Sequence, residues 1–532
     1  MADTKKKKRA SLSSFTILLI ILVALAVITV IMAACGVEGI EGATLSGVLT
    51  APVFGFQDAI GVCLFVMILG GFLGIVTETG ALDAGIAALV HKLKGNELVL
   101  IPILMAIFSI GGTTYGMCEE TVPFYLLLAA TMVAAGFDSL TGAAVVLLGA
   151  GVGVMGSTVN PFAVGVAVDA LNGIGVSVNQ GIIIALGVII WLVSLAIAIV
   201  FVMRYAKKVK ADKGSTFLSL QEQQDMMNEW GMKESETEAA DDDAAATPKM
   251  SGRQKWSLIV FALTFVIMIV SFIPWADLGV TIFDAGATTQ EVTTTMTGEE
   301  ITTFIDDAND GATTTTITEP VEATSVSEEE VTPAWSSFLT GVPLGSWYFD
   351  EASTWFLLMA LIIGVIGGVS ESRFVKAFIN GAADMMSVVL IIALARSITV
   401  LMAKTGLDMW ILNNAAAALT GMSAIIFAPL SFLLYIVLSF LIPSSSGMAT
   451  VSIPILGGLA HQLNFSVETM VMIYSAGNGL VNLFTPTSGA IMGGLALAKV
   501  EYSTWLKFGA KLFVVLGVVC IVILTAAMVI LS

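Results

Sequence analysis

Two adjacent carboxylates, Glu119 and Glu120, interrupt an otherwise apolar region in the stretch Gly112-Thr113-Thr114-Tyr115-Gly116-Met117-Cys118-Glu119-Glu120-Thr121-Val122-Pro123. Charge at membrane depth is costly, and by default it marks a site for an ion, a proton or a substrate. Two structural roles compete with that one. Either acid could pair with Arg396, or cap the half-helix that follows, where the helix dipole favours a negative group. Arg396 is the basic residue inside an apolar run, 387–403. It could serve as counter-ion to Glu119 or Glu120 or clamp a solute carboxylate. Snorkelling to the boundary is disfavoured by its mid-helix position. The small hydroxyls Thr113, Thr114, Ser444, Ser445 and Ser446 permit close backbone approach and hydrogen bonding to a solute, although membrane hydroxyls also satisfy their own helix backbone. A third group flanks Pro161 and Pro486, where a helix must break. In it, Asn160, Thr485 and Thr487 are expected to face the solute. Ser157, Thr158, Asn478, Asn482 and Ser488 are expected to face an ion, Na+ or H+, with backbone repair as the competing role. This is binding chemistry. Two histidines and four scattered cysteines show no metal-ligand spacing, and no Walker or dinucleotide motif occurs. The expectation is a non-enzyme without cofactor, without a nucleic-acid partner and without its own ATP chemistry.

The elements that must hold these residues are membrane helices. The chain has 532 residues, 57 % hydrophobic and 12 % charged, with a mean hydropathy of +0.93. A soluble protein is excluded, because about a quarter of such a chain is charged. Phe15–Ala34 is long enough to cross a bilayer. It follows Lys5–Arg9 and is read as an uncleaved first helix rather than a signal peptide. Further spans are expected near 58–78, 140–170, 182–203, 256–274, 353–370, 386–403, 465–498 and 510–531. Residues 97–136 and 422–462 each hold two shorter apolar legs around a polar centre, which predicts re-entrant hairpins. With the N-terminus inside, 21 of the 23 basic residues fall on the cytoplasmic side, leaving Arg396 and Lys404. The net charge of −18 is concentrated in two loops: 214–248 carries nine acids against Lys233, and 276–346 carries thirteen with no basic residue. Both are expected to be disordered, one inside and one outside.

The two halves repeat. Gly112–Pro123 can be laid on Pro443–Pro454, Gly153–Pro161 on Asn478–Pro486, and Glu78–Asp83 more loosely on Lys404–Asp408. The topology gives the copies opposite orientations, and inverted repeats with interrupted helices are the signature of secondary transporters that bind solute near the midplane.

The Gly112–Phe124 motif, Asn160-Pro161-Phe162, Ser444-Ser445-Ser446-Gly447 and Thr485-Pro486-Thr487-Ser488 resemble the YfcC-like branch of the anaerobic four-carbon dicarboxylate carrier family, within the ion transporter superfamily. The resemblance covers nearly the whole chain apart from the acidic loops. It implies a homodimer in lipid, with a scaffold and a mobile transport domain holding two hairpins, and elevator-type alternating access. Members are associated with dicarboxylates or with basic amino acids, notably arginine–ornithine exchange. Asn478 stands where relatives can have an acid, and the Thr-rich insert is unusually long. The expected fold is an all-α polytopic membrane protein. Its expected parts are a basic N-terminus (1–10), a first half (11–205), an acidic linker (206–253), a span (254–275), an acidic Thr-rich loop (276–350) and a second half (351–532). The expected activity is secondary transport of a small charged organic solute, foremost a basic amino acid. A four-carbon dicarboxylate or monovalent cation/proton antiport are the alternatives.

Overall fold

The computed structural model describes residues 14–82, 84, 85, 88, 97–230, 250–273, 275, 276, 279–286, 288–306, 313–332 and 334–532. The expected basic N-terminus and, among the other basic residues expected on the cytoplasmic side, Lys92, Lys94, Lys233 and Lys249 lie outside the described residues. In chain order the helices are α1 (Ser14–Ala34), α2 (Leu45–Asp58), α3 (Ile60–Glu78), α4 (Leu100–Tyr115), α5 (Val122–Ala134), α6 (Ser139–Met155), α7 (Val166–Asn172), α8 (Gln180–Ala211), α9 (Leu220–Trp230) and α10 (Gly252–Phe272). The second half holds α11 (Phe349–Gly367), α12 (Glu371–Asp384), α13 (Met386–Thr405), α14 (Leu407–Leu419), α15 (Ala424–Leu441), α16 (Ser445–Gln462), α17 (Val467–Val481), α18 (Gly489–Leu497) and α19 (Tyr502–Leu531).

The α4–α5 and α15–α16 pairs are the two hairpins, and α6–α7 and α17–α18 are the two interrupted helices. Polar side chains at the breaks account for where the helices restart. Asn160 accepts from the amides of Phe162 (3.0 Å) and Ala163 (3.3 Å), and a π-helical turn, Pro161–Gly165, leads into α7. Ser444 caps α16 through Gly447 N at 3.3 Å. Each cap supplies an acceptor to amides that a helix start leaves unpaired. Among the described residues, nine helical segments are long and apolar enough to span a membrane. Their membership differs from expectation. The first hairpin legs, Glu97–Tyr115 and Ala424–Leu441, reach span length, whereas the interrupted helices fall short because each is cut in two. Both α6 and α17 are apolar and buried on nearly every side, as befits helices enclosed by others.

The repeat is visible in the packing. Helix α1 lies on α13 as α11 lies on α3, and α2 on α13 as α12 on α3. Around each interrupted helix the hairpin legs and one long helix pack in the same order: α4, α5 and α8 against α6, and α15, α16 and α19 against α17. The second legs cross over, α5 onto α18 and α16 onto α7. These contacts gather α1–α3 and α11–α13 into one group, the expected scaffold, and the hairpins, interrupted helices, α8 and α19 into a second, the expected transport group; the two are joined where α13 packs on α18. Small residues permit the closest approaches: a Cβ at Gly112 would lie 2.1 Å from the Ala150 carbonyl oxygen. The structure corrects one register. Helix ends at Asp58 and Asp384, Tyr115 and Leu441, and Met155 and Val481 are each 326 residues apart, as are the left-handed Gly80 and Gly406. The hairpin tips therefore align Gly116–Cys118 with Ile442–Ser444, and the motif match placing Gly116 on Gly447 is five residues out. Pro123 opens α5, but Pro454 lies inside α16.

The described parts of the acidic stretches differ from the expected disorder, residues 231–249 of the first lying outside the described residues. In the first, α9 forms and buries Glu222, whose carboxylate accepts from Glu501 N (2.8 Å) and Thr504 Oγ1 (3.0 Å). Residues 274–347 form a compact unit of their own. Within it, β1 (Thr288–Asp306) and β2 (Thr313–Thr332) pair antiparallel, in keeping with the strand preference of β-branched threonine. The helical description thus belongs to the membrane part alone.

Candidate functional site

A cavity of about 120 Å³ opens where the two hairpin tips, the second helix break and α13 converge. Hairpin one contributes Glu119 and Glu120, hairpin two Ser444, Ser445 and Ser446, the break Asn482, Thr487 and Ser488, and α13 Arg396. These nine side chains come from four separate stretches of sequence. Gly116 makes the first tip possible. Its φ of +78° favours glycine, and a Cβ there would stand 2.6 Å from Asn160 Nδ2.

The carboxylates are held differently. Glu120 is 3 % exposed and accepts from the Cys118 amide at 3.0 Å across the tip. Glu119 is half-buried, and its side chain has no hydrogen bond or ion pair among the described residues. Among the described residues neither has a basic partner within 4 Å; the ion pair of Arg396 is with Asp58, at 3.9 Å from Nη1 to Oδ2. A Glu–Arg396 pair, one of the expected structural roles, is therefore not formed.

The other expected residues, Thr113, Thr114, Ser157, Thr158, Asn160, Asn478 and Thr485, do not line the cavity; they tie a tip to its break, brace the break itself or, at Thr114, bond back to their own helix. Thr113 donates to the Gly156 carbonyl (2.6 Å), and the Thr158 amide donates to the Thr113 carbonyl (2.9 Å). Asn160 Nδ2 reaches Ser157 Oγ at 3.0 Å. Thr114 bonds back to Ile110 O at 2.7 Å. In the second half, Asn478 accepts from Ser445 Oγ (2.9 Å) and from Asn482 Nδ2 (3.1 Å), and Asn482 also donates to Pro443 O at 3.0 Å. Thr485 lies 2.6 Å from Thr487, which donates to Phe440 O at 2.8 Å. Carbonyls freed by breaking a helix in the membrane are satisfied in this way.

Sequence reasoning missed an aromatic wall and a charge. Phe162, Tyr348 and Phe349 line the cavity, with ring centroids 5.0 Å apart for Phe162–Tyr348 and 4.7 Å for Tyr348–Phe349. Tyr348 directly precedes a span and reads as an interfacial belt residue. Asp58 reads as the polar edge of the run 58–78. Nothing local signals that either meets residues hundreds of positions away.

Inverted repeats, paired hairpins with interrupted helices and a polar cavity between them are the architecture of a membrane transporter. The sequence pattern of the DcuC family, C4-dicarboxylate anaerobic carrier, matches residues 49–529. The chain belongs to that family of multi-pass membrane transporters. An uncharacterized protein of Haemophilus influenzae is 27 % identical over 465 residues, 87 % of this chain and 74 % of that one. The YfcC protein of Escherichia coli K12, whose name proposes a basic amino acid antiporter, is 26 % identical over 483 residues, 89 % of this chain and 78 % of its own. Among solved structures, the YdaH transporter of Alcanivorax borkumensis aligns with a TM-score of 0.43 at 15 % identity, over 97 % of this chain and 98 % of that one. MtrF of Neisseria gonorrhoeae, described within a class of antimetabolite efflux pumps, aligns at 0.40 and 16 % identity, over 98 % and 96 %.

Proposed function

We propose that this transporter moves a basic amino acid, of the arginine or ornithine kind, in exchange for a second such solute, by elevator-type movement of the transport group against the scaffold. One observation carries the reading: the cavity presents two carboxylates without a basic partner, while its single guanidinium is paired elsewhere. A solute with a cationic side chain, an α-ammonium and one carboxylate matches two acids facing one arginine. A dianion would meet a cavity that is already negative. The dicarboxylate alternative rests on Arg396 and the serine hydroxyls lining the same space.

The positive-inside distribution supports a cytoplasmic N-terminus in the cell membrane. A coupling ion, Na+ or H+, belongs at the second break, where Asn482 and Ser488 reach the cavity. The homodimer rests on the family resemblance. Purified protein in proteoliposomes preloaded with ornithine, arginine or succinate tests the reading through uptake of each labelled solute. Arginine uptake driven by internal ornithine is expected. Arginine uptake that survives Glu119→Gln together with Glu120→Gln refutes the assignment, and the absence of counterflow with any organic solute favours cation/proton antiport.

A further inference from the structure

Asp58 is the last residue of α2, at the bend into α3. Its nearness to Arg396 is set by backbone packing. Helix α2 lies so close to α13 that a Cβ at Gly55 would stand 2.4 Å from Ala393 O and 2.6 Å from Ser397 N. Three residues on, Asp58 shares that face of the helix. An acid at a helix C-terminus sits at the unfavourable end of the dipole, so Asp58 is not there as a cap. The repeat supplies a comparison. Asp384 ends α12 at the matching bend, but the position matching Arg396 is Gly70, so Asp384 has no such partner.

Arg396 lines the cavity together with Glu119 and Glu120, yet forms no ion pair with them. A long, flexible guanidinium sharing a cavity with two carboxylates would pair with them, because forked Arg–carboxylate contacts are strong, unless another charge held it away. We propose that Asp58 is the positioning residue that does so. It keeps the Arg396 guanidinium on the α2 side of the cavity, leaving Glu119 and Glu120 open to a cationic solute. At 3.9 Å the pair is ionic without a hydrogen bond, loose enough for the guanidinium to turn to a solute carboxylate when one arrives. The sign of the effect rests on the basic-solute reading above.

Equilibrium binding of agmatine to the purified full-length protein is the test, since this decarboxylated arginine reports the two carboxylates without engaging Arg396 through a carboxylate of its own. Asp58→Asn frees Arg396 to close on Glu119 and Glu120, and binding weakens about tenfold, the scale of coupling between charged neighbours. Asp58→Glu stays near wild type, Asp384→Asn leaves binding unchanged, and Asp58→Asn with Arg396→Gln returns to the level of Arg396→Gln alone. A merely structural Asp58 gives the same loss with or without Arg396, and that result overturns the proposal, as does Asp58→Asn binding like wild type. A wild type that binds succinate but neither arginine nor agmatine refutes the basic-solute reading separately. The wild type, Asp58→Asn, Arg396→Gln and the double variant are then read with succinate: Asp58→Asn is expected to tighten binding only while Arg396 is present, and additive effects overturn the positioning role.

Discussion

Replacing Glu120 by glutamine removes a charge from the cavity and little else, because the amide oxygen can still accept from the Cys118 amide that holds the native carboxylate at 3.0 Å. A guanidinium or ammonium about 4 Å from a carboxylate gains about 4 kcal/mol at an effective dielectric constant near 20 and about 1 kcal/mol in water. Glu120 is 3 % exposed, which puts it towards the first limit. Desolvation of both charges takes back part of the gain, leaving about 2 kcal/mol, or about 30-fold in affinity. Glu119 is half-buried and more hydrated, so Glu119→Gln is expected to lose about 1 kcal/mol, or about fivefold. The assay compares arginine with citrulline, which has nearly the same shape but no side-chain charge, by equilibrium binding to detergent-purified protein. The wild type prefers arginine, and Glu120→Gln erases most of that preference by weakening arginine while leaving citrulline nearly unchanged. If both solutes weaken equally, Glu120 acts by shaping the tip and the electrostatic reasoning fails. If the arginine preference is intact in folded protein, Glu120 does not face the solute.

Three further outcomes follow from the packing. Gly112→Val puts side-chain carbon where a Cβ would already be 2.1 Å from Ala150 O; hairpin one cannot seat on α6, and the variant should fail to give a monodisperse peak on size-exclusion chromatography. Asn160→Ala removes the acceptor for two amides and the donor to Ser157, and should lower stability by about 1–2 kcal/mol, read as a lower midpoint in thermal unfolding. Asp138→Ala, at the start of α6, removes the acceptor of the Tyr205 (2.5 Å) and Thr216 (2.6 Å) hydroxyls and of the Thr141 amide (2.8 Å). It should cost about 3 kcal/mol, whereas Asp138→Asn retains part of the network and falls between.

The spans, hairpins and breaks were legible because a membrane leaves the backbone few choices: a polar glycine-rich centre between apolar legs, or an Asn-Pro in an apolar run, can be accommodated only as a tip or a break. The register of the hairpins was not. Gly-Met and proline recur by chance in such sequences, and the pairing of Gly116 with Gly447 rested on them, whereas the left-handed Gly80 and Gly406 mark the true spacing. At the site, residue type identified the chemistry of Glu119, Glu120 and Arg396. It could not separate Ser444–Ser446, which line the cavity, from Thr113, which is turned to the break behind it. That difference lies in the direction of a hydroxyl. The Asp58–Arg396 contact depends on the approach of α2 to α13, and no local pattern encodes it. The order in the Thr-rich segment was missed because charge was weighed above the β preference of threonine.

Aligned at 326 residues, Cys118-Glu119-Glu120 of one tip falls on Ser444-Ser445-Ser446 of the other, and Arg396 on Gly70. The shared part of the repeat is backbone: tips, breaks, caps and close glycine contacts. That sharing suits a carrier whose inward- and outward-facing states must be near in energy, since each half can take the other's arrangement. A solute bound at the midplane meets both tips at once, however, and two identical tips would present either four carboxylates or none. One charged tip and one hydroxyl tip solve this. The first fixes the sign of the solute, and the second hydrogen-bonds it without adding charge that would have to be neutralised during the crossing. Solute selectivity is therefore expected to reside where the halves differ, at Glu119, Glu120 and Arg396, and at Asp58 through its contact with Arg396, whereas substitutions at the other positions the halves share should alter stability and rate in similar measure for every solute.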